Sequence, residues 1–150
     1  MESDSEYMHL ALAEAAKAES LNEVPVGAIV VFDNKIIGRG FNQPISAHDA
    51  TAHAEIMAMR EASRTLKNYR LSGATMYCTM EPCMMCAGAM IHARIARLVF
   101  GTVDPKAGSA GSIYNVLTDP RLNHRVDVVT GIREDECAAI LREFFARRRA

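Results

Sequence analysis

The sequence lacks long hydrophobic runs and does not begin with a basic, then apolar segment. No uninterrupted apolar stretch approaches the roughly 20 residues that a membrane-spanning helix requires. Residues 1–6 are acidic, whereas a secretory signal starts with basic residues and continues with apolar ones. We therefore expect a soluble, cytoplasmic protein without a membrane partner.

A strong net charge is also absent. The formal net charge is −1 at pH 7, which gives no overall indication of nucleic-acid binding. The charges are nevertheless unevenly distributed, since residues 1–81 contain 7 Lys+Arg and 11 Asp+Glu, whereas residues 82–150 contain 10 and 7. This asymmetry permits a basic face in the second half of the chain but does not establish one.

No internal repeat and no linker divides the chain. Its 150 residues lie within the usual size of one domain. Hydrophobic residues make up 49% of the sequence and charged residues 23%, close to the averages for globular domains. The sequence thus predicts one compact domain over residues 1–150.

Apolar periodicity and turn residues predict four helices and five strands. Ser3 and Glu6 form a capping-box pattern at the start of the first helix, which should end near residue 22. The other predicted helices are 52–66, 83–92 and 135–149, and the predicted strands are 26–32, 36–38, 74–80, 97–101 and 125–130. The segment 102–125 is rich in Gly, Ser, Pro and Asn, with a hint of a helical turn at 113–117. Long segments of this kind are usually functional or mobile.

The order of these elements predicts an α/β fold. It favours a three-layer α/β/α sandwich around a five-stranded mixed sheet, in which a right-handed helical crossover joins the third and fourth strands. The second and third helices would then begin at the same edge of the sheet. His53, at the start of one, would therefore lie near Cys83, at the start of the other.

Cys83 and Cys86 form a Cys-x-x-Cys unit, which in a chain without a secretory signal favours metal or redox chemistry over a disulfide. Both would lie in the first turn of a helix, where backbone N–H groups stabilise thiolates. With His53 they make up a Cys₂His set, the pattern of a catalytic zinc with an open fourth position. The alternatives are a structural zinc, with Cys78 as a fourth ligand, and a redox dithiol, which would leave the nearby His-x-Glu unexplained.

Glu55 is the candidate for proton transfer at such a site. The fourth position of the zinc would hold a water molecule, whose pKa zinc lowers toward about 7. Glu55 follows the ligand His53 by two residues. The chain near His53 must then not yet be regular helix, because helical spacing would point the two side chains apart.

Two motifs together resemble the cytidine and nucleotide deaminase superfamily. His53-Ala54-Glu55 is followed by Pro82-Cys83-Met84-Met85-Cys86, as in zinc deaminases, where His and Cys bind zinc and Glu transfers protons. Further likenesses to tRNA-specific adenosine deaminases, which extend over nearly the whole chain, are Asn42, Ala50-Thr51-Ala52, Gly88-Ala89-Met90-Ile91 and Asn123-His124-Arg125. The resemblance implies a cytidine deaminase-like fold with one zinc ion per subunit.

The same resemblance implies a reaction and partners. Members of this kind hydrolyse the wobble adenosine of a tRNA anticodon at C6, which yields inosine and ammonia. Glu55 would take a proton from the zinc-bound water, deliver it to N1 of the purine and later protonate the departing amine. The implied partners are the tRNA anticodon loop and a second copy of the chain in a homodimer.

Residues that would contact the substrate also follow from the resemblance. Asn42 would hydrogen-bond the flipped base, with Val26 and the backbone N–H of Ala54 lining its pocket. The residues that would contact flanking nucleotides are Asp104, Lys106 and Asn123.

Some arginines and methionines have a structural alternative to a functional role. Arg147, Arg148 and Arg149 could grip RNA phosphates, but cations at the end of a helix also simply complement its dipole. Four methionines are expected to pack in the core rather than to touch substrate, namely Met57, Met80, Met84 and Met85.

Two rival functions remain at this point. A zinc deaminase of a free base or nucleoside, such as guanine, cytosine or cytidine, would use the same metal and the same Glu55. A non-catalytic RNA-binding module would use zinc only to hold its fold. Asn42, the stretch 123–125 and the arginine-rich last helix favour tRNA over a small substrate.

Overall fold

A five-stranded sheet with helices on both faces makes up the protein in the computed structural model, which describes residues 3–149. The helices are α1 (Asp4–Ser20), α2 (Ala54–Leu66), α3 (Met84–Ala93) and α4 (Glu134–Arg149). The strands are β1 (Gly27–Phe32), β2 (Lys35–Phe41), β3 (Thr75–Met80), β4 (Arg97–Thr102) and β5 (Asp127–Thr130). Residues 1, 2 and 150 of the predicted domain lie outside the described residues. Within 3–149, no helix combines the length and apolar character that crossing a membrane requires.

The sheet is mixed, as predicted, with the strand order β2-β1-β3-β4-β5. β1 runs antiparallel to β2 and β3, whereas β3, β4 and β5 are parallel to one another. Parallel neighbours cannot be joined by a tight turn, so α3 makes the crossover from β3 to β4. α2 and α3 therefore begin at the same edge of the sheet.

Each face of the sheet packs against its own pair of helices. Ala28 and Val30 of β1 belong to a buried cluster with side chains of α2 and α3. Ile29 and Val31 belong to a second cluster with side chains of α1 and α4. A strand covered on both faces is apolar throughout, which explains the continuous hydrophobic run of β1. The predicted three-layer arrangement is confirmed.

Helices α2 and α3 begin later than predicted, and both shifts affect the site. α2 begins at Ala54 instead of residue 52, and α3 begins at Met84 instead of Cys83. The N-cap residues His53 (φ −73°, ψ 154°) and Cys83 (φ −77°, ψ 176°) have extended backbones. Neither residue is one of the usual N-cap types Ser, Thr, Asp or Asn, and neither side chain makes a capping hydrogen bond, so the sequence pattern did not mark them as caps.

The predicted helical turn at 113–117 is wrong. The segment reverses direction instead, and Ala110 pairs with Asn115 in an isolated antiparallel bridge. Within it, the backbone N–H of Gly111 donates to the carbonyl of Tyr114 at 2.9 Å. The short apolar run at 113–117 therefore lies in a reversal of the chain and not on the face of a helix.

β2 lies close to α2 because it carries glycine at position 40. A Cβ atom on Gly40 would overlap the carbonyl oxygen of Ala54 and the backbone nitrogen of Ala58. The missing side chain lets the first turn of α2 rest directly on the sheet. This contact determines where His53 and Glu55 stand relative to the strands.

Gly40→Ala should lower the free energy of unfolding by about 3 kcal/mol, because overpacking a filled core costs about 1–3 kcal/mol and the obstacle here is backbone. Urea denaturation measures the loss. Gly88→Ala in α3 is the matched control, since a Cβ atom there meets nothing within 4 Å. Equal losses in the two variants would contradict the close-approach explanation.

Candidate active site

Three metal-ligating side chains meet at the edge of the sheet where α2 and α3 begin. His53 precedes α2, Cys83 precedes α3, and Cys86 lies in the first turn of α3. The Nδ1 atom of His53 is 3.5 Å from the Sγ atom of Cys83 and 3.5 Å from that of Cys86. All three ligand atoms lie within 4.8 Å of one another. The expected proximity of His53 and Cys83 is therefore observed.

These distances fit a zinc ion. With Zn–S of about 2.3 Å and Zn–N of about 2.0 Å, tetrahedral coordination separates S and N ligand atoms by about 3.5 Å. Among the described residues, no other group of His, Cys, Asp or Glu side chains is arranged to hold a metal, and Cys78 does not belong to this one. Three protein donors suit a site that leaves a coordination position for water or substrate.

The side chains of this group stabilise a thiolate. Hydrogen bonds from Cys86 and then His53 help lower the pKa of Cys83 to about 4. The pKa of Cys86 is raised, first by its hydrogen bond to Cys83 and then by burial. The hydrogen bond to Cys83 also raises the pKa of His53. At neutral pH, Cys83 is therefore a thiolate and Cys86 is a neutral thiol.

Metal affinity should increase with pH. To bind a metal ion, Cys86 must lose its proton, and His53 must also be neutral. Because both pKa values are raised without metal, the association constant should rise about tenfold per pH unit for each proton released. Competition with a chromophoric chelator between about pH 6 and about pH 8 measures this slope. A flat profile would contradict a protonated Cys86 in the metal-free site.

Glu55 lies in the first turn of α2, beside the metal-ligating group. Its side chain is 4% exposed, and burial raises the pKa of its carboxyl group. Because His53 has an extended backbone, the two residues are not separated by regular helical geometry, and both line the same cavity. A buried carboxyl group with a raised pKa keeps a proton to a higher pH than an exposed one and is suited to proton transfer.

A cavity of about 210 Å³ adjoins these side chains. Its lining residues are Val24, Val26, Asn42, His53, Glu55, Met80, Glu81, Cys83, Asp104 and Ala107. Sites for drug-sized ligands usually have volumes of about 300–1,000 Å³. The smaller volume here suits a single flat heterocycle.

Known proteins match this chain over almost its whole length. The family model of MafB19-like deaminases matches residues 2–149. The tRNA-specific adenosine deaminase of Haemophilus influenzae is 48% identical over 149 residues, which are 99% of this chain and 86% of that protein. The corresponding Bacillus subtilis protein is 45% identical over 145 residues, which are 97% of this chain and 90% of that protein. The chain belongs to the tRNA-specific adenosine deaminase family.

A solved structure agrees with this assignment. It comes from work on A-to-I editing by tRNA:A34 deaminases at the wobble position of transfer RNA. Its TM-score with this deaminase is 0.88 at 45% sequence identity, and the match covers 91% of this chain and 99% of that one. The predicted cytidine deaminase-like fold is confirmed.

Several of the residues predicted to contact substrate lie at the cavity of this deaminase. Val26, Asn42 and Asp104 line it, and the backbone N–H of Asn42 donates to the carbonyl of Val26 at 3.0 Å. Ala54 is fully buried at the start of α2. The Oδ1 atom of Asp104 accepts hydrogen bonds from the backbone of residues 106 and 107, so this carboxylate also caps its own turn.

Lys106 and Asn123 lie elsewhere. Lys106 lines a second cavity of about 410 Å³, together with Phe145, and this cavity shares Val24, Met80 and Asp104 with the first.

Asn123 lies near the opposite end of α3 from the cysteines. Its side-chain oxygen accepts a hydrogen bond of 3.4 Å from Arg94, the residue that follows α3. A helix of this length is about 15 Å long. The structure therefore does not bring Asn123 to the cavity within one subunit.

Two of the three C-terminal arginines are bound within the protein. Arg147 forms an ion pair of 2.7 Å with Glu19. Arg148 donates to the carbonyl of Asn22 and stacks 4.9 Å above the ring of Phe144. Arg149 is exposed. The first two thus join the end of α4 to the end of α1.

The sequence does not predict two buried carboxylates next to the cavity. Glu23, 1% exposed, accepts hydrogen bonds from the backbone of Ile45 and from the backbone and hydroxyl of Ser46, and so holds the segment after Asn42. Glu81, 3% exposed, lines the cavity and binds the segment 104–112. The sequence indicates these buried carboxylates only by placing a charged residue among apolar residues and close to a proline.

Proposed function

We propose that this deaminase hydrolyses the wobble adenosine of a tRNA anticodon to inosine and releases ammonia. One observation carries the proposal: the buried carboxyl group of Glu55 lies beside the His53, Cys83 and Cys86 group, at a cavity of about 210 Å³. The 48% identity to the tRNA-specific adenosine deaminase of Haemophilus influenzae supports the choice of substrate. A tRNA substrate would place this activity in the cytoplasm.

Zinc is the metal that we propose for this group, with one ion per subunit. Its donor set would be one imidazole and two thiolates, which zinc accepts readily, and the 3.5 Å distances between S and N atoms suit its tetrahedral coordination. When bound, zinc supplies Lewis acidity that activates water for attack at C6 of the purine.

Glu55 is the proposed proton carrier. Its carboxylate takes a proton from the attacking water and delivers it to N1 of the purine, which makes C6 more electrophilic. The carboxylate would then take the remaining proton from the hydroxyl group now on C6 and pass it to the departing amine, so that the product keeps a C6 carbonyl and the amine leaves as ammonia. Burial suits Glu55 to this role because it raises the pKa of the carboxyl group, which therefore binds a proton more readily than an exposed glutamate does.

The cavity is the proposed site for the flipped adenine. Asn42 would donate and accept hydrogen bonds on the base, while Val26 packs against the ring and the N–H of Ala54 lies behind it. The volume takes a base but not its sugar, so the nucleotide must be extruded from its neighbours. The free-energy cost of this extrusion is lowest for an unpaired base such as one in an anticodon loop.

Flanking nucleotides would lie in the adjoining cavity of about 410 Å³. Lys106 and Asp104 border it and are proposed to contact them, with Phe145 offering a ring on which a base can stack. Arg147, Arg148 and Arg149 are all exposed and are proposed to contact the RNA backbone. Arg147 and Arg148 would first have to leave their partners on α1.

We also propose that the protein is a homodimer. A shallow, mostly apolar cavity of about 640 Å³ lies between α2 and α3, and its lining includes Ile56, Tyr69 and Ala89. Met84 and Met85 on α3 are 53% and 36% exposed, so the prediction that they pack in the core is wrong for the single chain. An apolar surface of this kind suits a second copy.

A dimer would also give Asn123 a role, since it could approach the cavity of the other subunit although it is remote from its own. Sedimentation equilibrium tests the oligomeric state. A monomer at micromolar concentration would contradict this part of the proposal.

The decisive experiment incubates the zinc-loaded protein with an adenosine-containing anticodon stem-loop, and separately with free adenosine, cytidine, cytosine and guanine. We expect inosine in the stem-loop and little product from the free compounds. The binding should weaken as salt is added, because phosphate contacts release counterions. Efficient deamination of a free compound with an untouched stem-loop would favour the small-substrate alternative. Salt-sensitive RNA binding without any deamination would favour the binding-module alternative.

A further inference from the structure

The segment that forms one wall of the base cavity is hydrogen-bonded to a single buried carboxylate, that of Glu81. Its Oε1 atom accepts hydrogen bonds from the backbone N–H of Asp104 at 3.0 Å and from the hydroxyl of Ser112. Its Oε2 atom accepts from the backbone N–H groups of Ala110 at 2.9 Å and Ser112 at 3.1 Å. A carboxylate offers about four acceptor positions, so these four donors occupy the group fully.

The same segment closes on Glu81 sterically. A Cβ atom on Gly108 would overlap the Cδ and Oε1 atoms of Glu81, so only glycine permits this approach. The backbone N–H of Ser109 also donates to the carbonyl of Pro82 at 2.9 Å, and that of Glu81 donates to Thr102 at 2.8 Å. The segment 104–112 is thus anchored to a short stretch next to the cysteine motif.

The segment 104–112 that Glu81 holds borders the substrate cavity through two of its residues. Asp104, which donates to Glu81, and Ala107 line this cavity, which is also lined by the N-cap residue His53 and by Glu55 of α2. Since the oxygen atoms of Glu81 are directed into the loop, they are committed to holding it rather than to contacting a substrate.

We infer that Glu81 is a positioning residue that holds the segment 104–112 as one wall of the base cavity and thereby sets how tightly the substrate binds. The inference rests on the proposed function for the identity of that substrate. It assigns Glu81 no part in proton transfer, which belongs to Glu55.

Glu81→Gln tests the inference because it keeps the size of the side chain but turns an amide NH₂ group toward backbone N–H donors. We expect KM for the anticodon stem-loop to rise about tenfold and kcat to stay within about threefold, since a displaced binding wall weakens binding more than the acid–base step. A residue that only stabilises the fold would instead lower the folded fraction, so kcat per mole of protein would fall at unchanged KM. That result would overturn the inference.

Two further variants make the test specific. Gly108→Ala should raise KM like Glu81→Gln, and the double variant should lose little more than the worse single one, because both changes disrupt one contact. Fully additive effects would contradict the inference. Glu14→Gln, which removes a buried carboxylate bonded to Lys17 outside the cavity, is the matched control and should leave KM and kcat unchanged. If Glu81→Gln does not fold, Ser112→Ala removes one donor at an exposed residue and should raise KM about threefold, an unchanged KM counting against the inference.

Hydrogen exchange separates this inference from the proposed function. The amide protons of Asp104, Ala110 and Ser112 should exchange at least about tenfold faster in Glu81→Gln than in the unchanged protein, whatever the substrate is. Equal exchange in the two proteins would overturn the inference. An unchanged protein that protects these amides but leaves the stem-loop unreacted would overturn only the proposed function.

Discussion

Glu55→Gln should lower the rate of adenosine deamination by about two to four orders of magnitude, the range that general acid–base catalysis contributes. Glutamine has nearly the same shape as glutamate and can occupy the same buried position. It cannot accept a proton from water or donate one to the purine or the departing amine. Single-turnover kinetics on the stem-loop measures the chemical step directly.

The metal and the fold should survive this change, because Glu55 is not among the three metal-ligating side chains. Burial raises the pKa of Glu55. The neutral form of this carboxyl group therefore contributes to the stability of the fold, and this contribution is lost as the pH rises through the raised pKa. Metal-free Glu55→Gln should therefore be at least as stable as the unchanged protein at neutral pH. Glu61→Gln, at an exposed position of α2, is the control and should retain full turnover. A Glu55→Gln protein that retained turnover would contradict the proposed proton transfer by Glu55.

Cys86→Ala should abolish both metal binding and turnover. Losing a group that merely supports a ligand typically costs about 10–100-fold in metal affinity. Losing a ligand should exceed this range, because only Cys83 and His53 would remain to hold the ion. Metal analysis after dialysis, together with a stem-loop assay, measures the two effects.

Cys137→Ala provides the control for this second prediction. Cys137 is fully buried in the cluster on the opposite face of the sheet, with α1 and β4 side chains, and belongs to no metal-ligating group in the part of the chain described. Its loss should leave a small cavity and reduce stability, but metal content should stay at one ion per chain. A Cys86→Ala protein that kept both zinc and activity would contradict the assignment of the ligands.

Local spacing was enough to predict much of the site. Cys83 and Cys86 lie three residues apart, so they are neighbours once their segment forms the first turn of a helix. The prediction that His53 lies near this pair required only the correct order of strands and helices. Apolar periodicity and turn residues indicate that order. Sequence periodicity failed at the caps, where His53 and Cys83 adopt extended backbones that no pattern of polarity specifies.

The arginines show why charge patterns alone could not assign contacts. Arg147 and Arg148 form a basic run, yet their partners Glu19 and Asn22 are more than a hundred residues away in the chain. Such pairs depend on how α4 packs beside α1. The exposure of Met84 and Met85 depends equally on which face of α3 the single chain leaves uncovered.

The sequence by itself determined the types of the candidate metal ligands, the order of the elements and the family, because these follow from residue identity and short-range spacing. Only the tertiary structure decided that Glu55 is buried beside the ligands, that Asn123 is remote from its own cavity, and that Glu81 gathers the segment 104–112. The physical reason is that burial and the pairing of buried charges depend on donors that arrive from distant parts of the chain. A carboxylate such as that of Glu81 is stable inside the protein only because those backbone N–H groups meet it there.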